Sequence, residues 1–237
     1  YQSSGITIGR NKKSQNAHFE IKNNKITNLR FSGLHITALD SSEIYENKIS
    51  NIWEDNPQER AQAGGIHISH SNFVNIYDNL IESVYSLFGR DSIGNAAVWN
   101  SSLAWGKGEN FQHGIYVSEG NDNIIIESNK IIGVSGLGIK IAGKEDYLNT
   151  RILVINNFIK ETFYAGLGAS GVVVANLSGN VFENCGAIIN YLRLYENNEL
   201  EVRKKRSGII SLSDRADLGT KIHFLIFKNN IIKTNDY

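Results

Sequence analysis

The sequence predicts an all-β fold, a single-stranded right-handed parallel β-helix (solenoid) of about seven coils with an Asn ladder and long loops on one edge. Two motifs that alternate along the whole chain favour this fold, and the composition agrees with them. Of the 237 residues, 41 % are hydrophobic and 20 % are charged, with one proline and no methionine. Ile and Asn are frequent, which is typical of strands and turns rather than of helices.

The first motif is a tetrad of the form Gly-apolar-x-apolar, which we interpret as a short strand. Because side chains alternate along a strand, the second and fourth residues point into the solenoid and the third points outwards. The copies begin at Gly5, Gly33, Gly65, Gly114, Gly138, Gly166 and Gly208, the last two being weaker than the others.

The second motif is an asparagine set among apolar residues, and one copy follows each tetrad. Asn tolerates the left-handed conformation of a tight turn, and stacked amides can hydrogen-bond to one another in a ladder. The copies are Asn24, Asn47, Asn79, Asn129, Asn157, Asn180 and Asn230. A β-sandwich or an antiparallel barrel would leave the alternation of the two motifs unexplained. The chirality of parallel connections predicts the right hand of the coil.

This alternation resembles the pectate-lyase-like right-handed parallel β-helix superfamily over essentially the whole chain. That superfamily includes lyases, hydrolases, epimerases, phage tailspikes and adhesins, so the resemblance implies the fold more strongly than the chemistry. We expect one domain over residues 1–237, as part of a longer chain or without end-caps. The ends or faces of such a solenoid offer surfaces for a homo-oligomer.

Charge and cysteine content narrow the partners. Lys and Arg total 24 and Asp and Glu total 24, so no net charge attracts the protein to nucleic acid or to a membrane, and we expect neither as a partner. Cys185 is the only cysteine, which excludes an intrachain disulfide. No signal peptide is visible, yet we expect an extracellular, cell-surface or periplasmic location. No calcium loop or zinc-ligand spacing occurs, so we expect no cofactor; calcium stays an open alternative that the sequence does not support.

Coil length varies mainly between the Asn turn and the next tetrad. The three long segments are Ser50 to Gly64, Glu82 to His113 and Glu183 to Ser207. All three enter a tetrad strand from the same edge, and insertions on one edge of a solenoid usually build its binding face. In the resembled superfamily, loops at this edge wall the substrate groove.

The third residues of the tetrads form an outward column on the same side. Its members are Thr7, His35, His67, Tyr116, Lys140, Gly168 and Ile210. From His35 to Lys140 the column offers two imidazoles, a phenol and an ammonium over roughly 15 Å, all acid–base groups on rigid strands. The small hydroxyls of Thr37, Ser69 and Ser118 leave room for a ligand. The alternative is a polar column that serves solubility alone.

The largest insertion carries aromatic and charged residues. Trp99 and Trp105, with Trp53 on the neighbouring loop, either stack on sugar rings or form a satellite core. Arg90 and Asp91 either pair with each other or leave Arg90 to hold a carboxylate, and Glu109 is a further polar candidate for substrate binding. The basic run 203–206 is either solvated or attracts an acidic polymer.

Two short strings permit a closer comparison. Gln112-His113-Gly114 and Gly138-Ile139-Lys140 resemble the Gly-His-Gly and Arg-Ile-Lys motifs of polygalacturonases, which implies roles for His113 and Lys140. The motifs that supply the catalytic carboxylates of that family have no match in this sequence.

We therefore expect a carbohydrate-active protein, a polysaccharide lyase or C5-epimerase that removes the C5 proton of a uronate-containing polymer. His67 would be the base and Tyr116 the acid, or the reverse, and Lys140 or Arg90 would neutralise the carboxylate, with His113 in reserve. One alternative is a glycoside hydrolase or tailspike-type depolymerase, for which the nearby acids are Asp91, Glu109, Glu119 and Asp122. The other is a non-catalytic glycan-binding or adhesin module, so enzyme activity itself stays open.

Overall fold

The computed structural model describes residues 4–9, 18–54, 64–86, 112–144, 146–162, 165–186, 210–212 and 222–233. The described residues contain strands, turns and isolated bridges but no helix. In chain order the strands are β1 (Ser4–Ile8), β2 (Glu20–Lys22), β3 (Lys25–Leu29), β4 (Ser32–Thr37), β5 (Asp40–Tyr45), β6 (Lys48–Glu54), β7 (Gly64–Ser69), β8 (Asn72–Tyr77), β9 (Leu80–Ser86), β10 (His113–Val117), β11 (Asp122–Glu127), β12 (Lys130–Val134), β13 (Leu137–Ala142), β14 (Thr150–Ile155), β15 (Phe158–Thr162), β16 (Ala165–Ser170), β17 (Val172–Ser178), β18 (Val181–Glu183), β19 (Ile210–Leu212), β20 (Ile222–Lys228) and β21 (Ile231–Lys233).

Every third strand joins the same sheet. Within the described ranges, this gives three parallel sheets of seven strands each, which begin with β1, β2 and β3. We call them the first, second and third sheets. Each coil contributes one strand to each sheet, so the predicted parallel β-helix of about seven coils is confirmed.

The core is a stack of aliphatic side chains, most of them isoleucine. The second and fourth residues of the tetrads point into it as predicted: Ile66, Ile68, Ile115 and Val117 are fully buried. The tetrad glycine allows close packing between coils. A Cβ on Gly65 would lie 2.6 Å from both the carbonyl oxygen of Gly114 and Ile81 Cγ2, a distance that a side chain cannot keep.

The asparagine ladder is confirmed and runs through the turn between the second and third sheets. Asn129 shows the repeating pattern. Its Nδ2 donates to Asn157 Oδ1 at 3.0 Å and to two carbonyl oxygens, while its Oδ1 accepts from the backbone N and the Nδ2 of Asn79. The residue before each ladder asparagine has a positive φ, as at Ser128 (54°). Buried amides are therefore paired from coil to coil, and this pairing fixes the register.

A second, shorter ladder occupies the turn between the first and second sheets. Leu39 N donates to Ser71 Oγ, Ser71 N to Asn121 Oδ1, and Asn121 N and Nδ2 to Asn149 Oδ1. The sequence analysis missed this ladder because Leu, Ser and Asn all occupy its four positions, so one residue type does not repeat along it. Its function is the same, since it pairs buried backbone groups at a turn.

The structure corrects three details of the predicted coils. The first two long segments are shorter than predicted, because residues 50–54 and 82–86 belong to β6 and β9. Trp53 therefore lies on β6 in the third sheet, paired with Tyr85, and not on a loop. In the last coil Ile210 pairs with the inward Leu167 and Ser211 pairs with Gly168, so Ile210 is not a column member. Because the string Gly208-Ile209-Ile210 contains two adjacent apolar residues, the predicted register of this strand was wrong by one position.

Candidate functional site

The outward column of the first sheet is in register across the middle coils, as predicted. Thr7 pairs with His35, His35 with His67, His67 with Tyr116, and Tyr116 with Lys140. The rings follow one another at the spacing of the strands. Ring centroids are 4.8 Å apart between His35 and His67 and 4.7 Å apart between His67 and Tyr116, and the latter two rings are nearly parallel.

Lys140 completes this stack at one end. Its Nζ lies 4.7 Å from the centroid of the Tyr116 ring, a cation–π contact. Phe31 stacks on His35 at the other end, with 5.9 Å between centroids. The site is therefore a continuous ring stack with an ammonium group on one end.

His67 has one ring nitrogen engaged and one vacant. Ser118 Oγ donates to the carbonyl oxygen of Ile68 at 3.1 Å, which uses its only proton. The 3.0 Å contact between His67 Nε2 and Ser118 Oγ is then a hydrogen bond that Nε2–H donates. Nδ1 carries the lone pair, is buried and has no hydrogen-bond partner. An unpaired buried acceptor of this kind is costly in a folded protein and often marks a functional position.

The imidazoles of the site are neutral near pH 7. Burial lowers the pKa of His67 to about 3, and repulsion from His35 when that imidazole is protonated, and from the charge of Lys140, adds to this effect. Burial also lowers the pKa of His35. A neutral imidazole can accept a proton, and a carboxylate ligand beside Lys140 would raise its basicity again.

His113 lies against the column but has a structural hydrogen bond. Its Nδ1 accepts from the backbone N of Leu137 at 3.1 Å. Its ring packs edge-on against the Tyr116 ring, with 5.4 Å between the ring centroids. Its side chain is buried, and burial, followed by the charge of Lys140, keeps its pKa well below the usual value. Ser32 has the equivalent role two coils earlier, where its Oγ accepts from Gly64 N. His113 thus makes a structural hydrogen bond from the start of β10, and its reserve role in proton transfer stays a prediction.

The column is less exposed than the alternation of strand residues predicts. Tyr116 is only 6 % exposed and Ser118 is also 6 % exposed, while His35, His67 and Lys140 are partly buried. Alternation determines the face on which a side chain lies but not what else covers that face. Ser69, predicted to border a ligand, pairs through its Oγ with Thr37 Oγ1 at 3.1 Å.

Gln112 is a polar residue of this region that the sequence analysis did not select as a site residue. Its side chain is fully buried, and neither its amide oxygen nor its amide nitrogen has a hydrogen-bond partner. It precedes β10, next to His113. Gln112 belongs to the Gln112-His113-Gly114 string. The sequence does not indicate, however, that a residue between an insertion and a strand is buried.

The remaining candidates divide into two groups. Arg90, Asp91, Trp99, Trp105 and Glu109 lie outside the described residues, as does the basic run 203–206. Two predicted acids already have partners away from the column: Glu119 accepts from Lys144 Nζ at 2.6 Å, and Asp122, at the start of β11, accepts from Arg151 and Thr150. The described column itself contains no carboxylate.

The described residues contain neither a metal-binding cluster nor a membrane-spanning helix. Among the residues that the structure describes, no group of three or more His, Cys, Asp and Glu side chains is arranged to hold a metal ion. No helix in these ranges has the length and apolar character needed to cross a membrane.

The stacked coils and the two ladders define a parallel β-helix repeat protein. A family model described as a right-handed beta helix region matches residues 1–185. The chain therefore belongs to the right-handed β-helix family, and the predicted hand of the coil is confirmed. Comparison with curated proteins and with solved structures gives no match. The family supports a carbohydrate-active or adhesin-like protein.

Proposed function

We propose that the protein is a polysaccharide lyase or C5-epimerase that acts on a uronate-containing polymer at the outward column. The observation that carries the proposal is the vacant Nδ1 of neutral His67, stacked between His35 and Tyr116 and two coils from Lys140. Both reactions begin with the loss of the C5 proton next to the carboxylate. They need a base, a cation and an acid, and three successive coils supply these types.

The proposed roles follow from the contacts. Lys140 holds the uronate carboxylate and stabilises the charge that develops when C5 loses its proton. His67 accepts that proton at Nδ1 while Nε2–H, held by Ser118, fixes the ring orientation. The Tyr116 hydroxyl protonates the leaving oxygen in a lyase, or the opposite face of C5 in an epimerase.

Binding of the carboxylate also makes His67 more basic. Burial is the largest cause of the lowered pKa of His67, and the charge of Lys140 adds to it. A bound carboxylate beside Lys140 offsets that charge and so raises the pKa of His67. Substrate binding and activation of the base are thereby coupled.

The fate of the C5 proton in D₂O tests both reactions at once. Polygalacturonate, alginate and a glucuronate-containing polymer are incubated with the protein in D₂O and followed by NMR, and unsaturated products are followed by ultraviolet absorbance. Loss of the C5 proton with ultraviolet absorbance indicates a lyase, which leaves a C4=C5 double bond, and replacement of the C5 proton by deuterium without absorbance indicates an epimerase. Absence of both on every polymer, with binding retained, would leave the non-catalytic glycan-binding module in its place. That second candidate is favoured by the continuous stack of rings from Phe31 to Tyr116.

A further inference from the structure

The outer face of the second sheet carries a groove that the proposed reaction does not use. Its volume is about 420 Å³, and it crosses β8, β11, β14 and β17. Its described lining includes Phe73, Asn75, Ile125, Arg151, Leu153 and Asn176. A mostly apolar groove of this size with a few polar groups suits a small ligand.

Two columns of residues form this groove. The first is a bulge position near the start of each strand, where Phe73, Asn123 and Arg151 have φ values of 51° to 52°. The second column places Asn75, Ile125, Leu153 and Asn176 in register. The groove is therefore built from rigid strands on four successive coils.

Phe73 is an unusual residue for its position. The side chain is 54 % exposed, and a bulky residue at positive φ is uncommon. Ser41 holds the same position one coil earlier, also with positive φ (50°), so a small polar residue satisfies the fold there. The aromatic ring at this point offers a flat apolar surface to a ligand.

Asn176 adds a polar group that lacks a partner. Its Oδ1 is buried and makes no hydrogen bond. A ligand hydroxyl that donates to this oxygen would satisfy it. The groove thus combines a flat apolar surface with a hydrogen-bond acceptor.

The charges of the groove indicate a neutral ligand. Of the described residues that line it, only Arg151 is charged, and its guanidinium donates from Nε and Nη2 to both carboxylate oxygens of Asp122. Charge on this face is compensated within the protein, in contrast to an acidic sugar site, which needs a cation for the ligand.

We propose that this groove binds a neutral sugar ring, with its apolar C–H face on Phe73 and a hydroxyl donating to Asn176 Oδ1. This second site lies on a different sheet from the outward column and does not depend on the proposed reaction. It would hold a neutral part of a glycan, independently of the residues of the first sheet.

Titration with neutral disaccharides tests the proposal. Cellobiose, maltose, lactose and mannobiose are titrated into the full chain by NMR, with digalacturonate as the acidic comparison. At least one neutral disaccharide should bind. Phe73→Ser should weaken that binding at least about tenfold, as should Asn176→Ala, while Phe73→Tyr should retain it.

Phe224 supplies the matched control. It is 57 % exposed on β20 of the same sheet and is not among the groove residues. Phe224→Ser should bind as the wild type does, and so should His67→Gln, which separates this site from the proposed reaction. The proposal is wrong if no neutral disaccharide binds, if Phe73→Ser binds normally, or if Phe224→Ser is equally weakened.

Discussion

Two stacks of polar side chains run along the solenoid, one inside a turn and one on an outer face. The ladder repeats the same asparagine from coil to coil, and each internal amide is hydrogen-bonded to its neighbours. The outward column changes residue at every coil, from His35 through His67 and Tyr116 to Lys140. Its central imidazole keeps a vacant nitrogen.

The same repeat therefore carries one stack that stabilises the fold and one that is a candidate functional site. Repetition with complete pairing stabilises the fold, because each amide would otherwise be a buried unsatisfied group. Variation with an unpaired buried atom, here His67 Nδ1, is expected where a ligand completes the contacts. The following changes test that division, from the largest expected effect to the smallest.

The largest effect is expected on turnover in the column. His67→Gln, Tyr116→Phe and Lys140→Met should each lower turnover on a competent uronate polymer at least about a hundredfold, because each removes a proton carrier or the cation. Initial rates measure the loss, and thermal melts check the fold. Phe keeps the buried ring of Tyr116, so folding should survive.

Near-full activity in all three variants would contradict this assignment. The active site would then lie elsewhere, and the carboxylates between residues 82 and 113 would be the first groups to replace.

Substitutions in the ladder should lower stability, in contrast to those in the column, which should lower turnover. Asn129→Ala should lower the free energy of unfolding by about 1–3 kcal/mol, because the buried backbone N of Asn79 loses its acceptor and Asn157 Oδ1 loses one of its two donors at this rung. Urea denaturation measures the change. Asn24→Ala is the graded control, since Asn24 is only partly buried at the first described rung and donates to Asn47. A loss as large for Asn24 as for Asn129 would mean that burial does not set the cost.

The two stacks also differ in how well the sequence predicts them. The ladder was predicted because one residue type repeats within one context. The register of the column was predicted as well, because alternation between buried isoleucines leaves no other face for His67, Tyr116 and Lys140. Ile210 was misplaced because two adjacent isoleucines fit either register.

Burial and individual hydrogen bonds could not be predicted in this way. Tyr116 and Ser118 are buried by tertiary packing, on which the strand pattern is silent. His113 was selected by the resemblance of the Gln112-His113-Gly114 string, which does not reveal that its Nδ1 accepts from the backbone N of Leu137. The second ladder uses Ser71, Asn121 and Asn149, and no single motif connects them.

Acid should lower the free energy of unfolding through protonation of His67 in the column, whereas the ladder asparagines do not titrate. Folding lowers the pKa of His67 to about 3, below the unfolded value of about 6.5, so the unfolded chain binds the proton first. Stability is therefore full above about pH 6.5 and falls towards pH 3, by about 1.4 kcal/mol per pH unit for this residue. Between pH 6.5 and 5, His67→Gln should lose about 2 kcal/mol less than the wild type.

Urea denaturation of both proteins at pH 7, 6 and 5 measures this difference. Asn129→Ala, which alters no titrating group, serves as the control and should keep the pH dependence of the wild type. Parallel curves for His67→Gln and the wild type would show that His67 is not held neutral by the fold.

The smallest effect is expected at Thr7, which shares the register of the column but not its proposed function. Thr7 pairs with His35 on β1, and its side chain is exposed. Thr7→Ala removes a hydroxyl from an exposed position, where substitutions usually change stability by less than about 0.5 kcal/mol. Thr7 lies outside the ring stack and carries neither a proton carrier for the reaction nor a cation, so turnover should also stay close to that of the wild type. Paired melts and initial rates of Thr7→Ala and His67→Gln measure the contrast. A tenfold loss of turnover in Thr7→Ala would extend the site to the first coil, whereas an unchanged rate limits it to the stack that begins at His35.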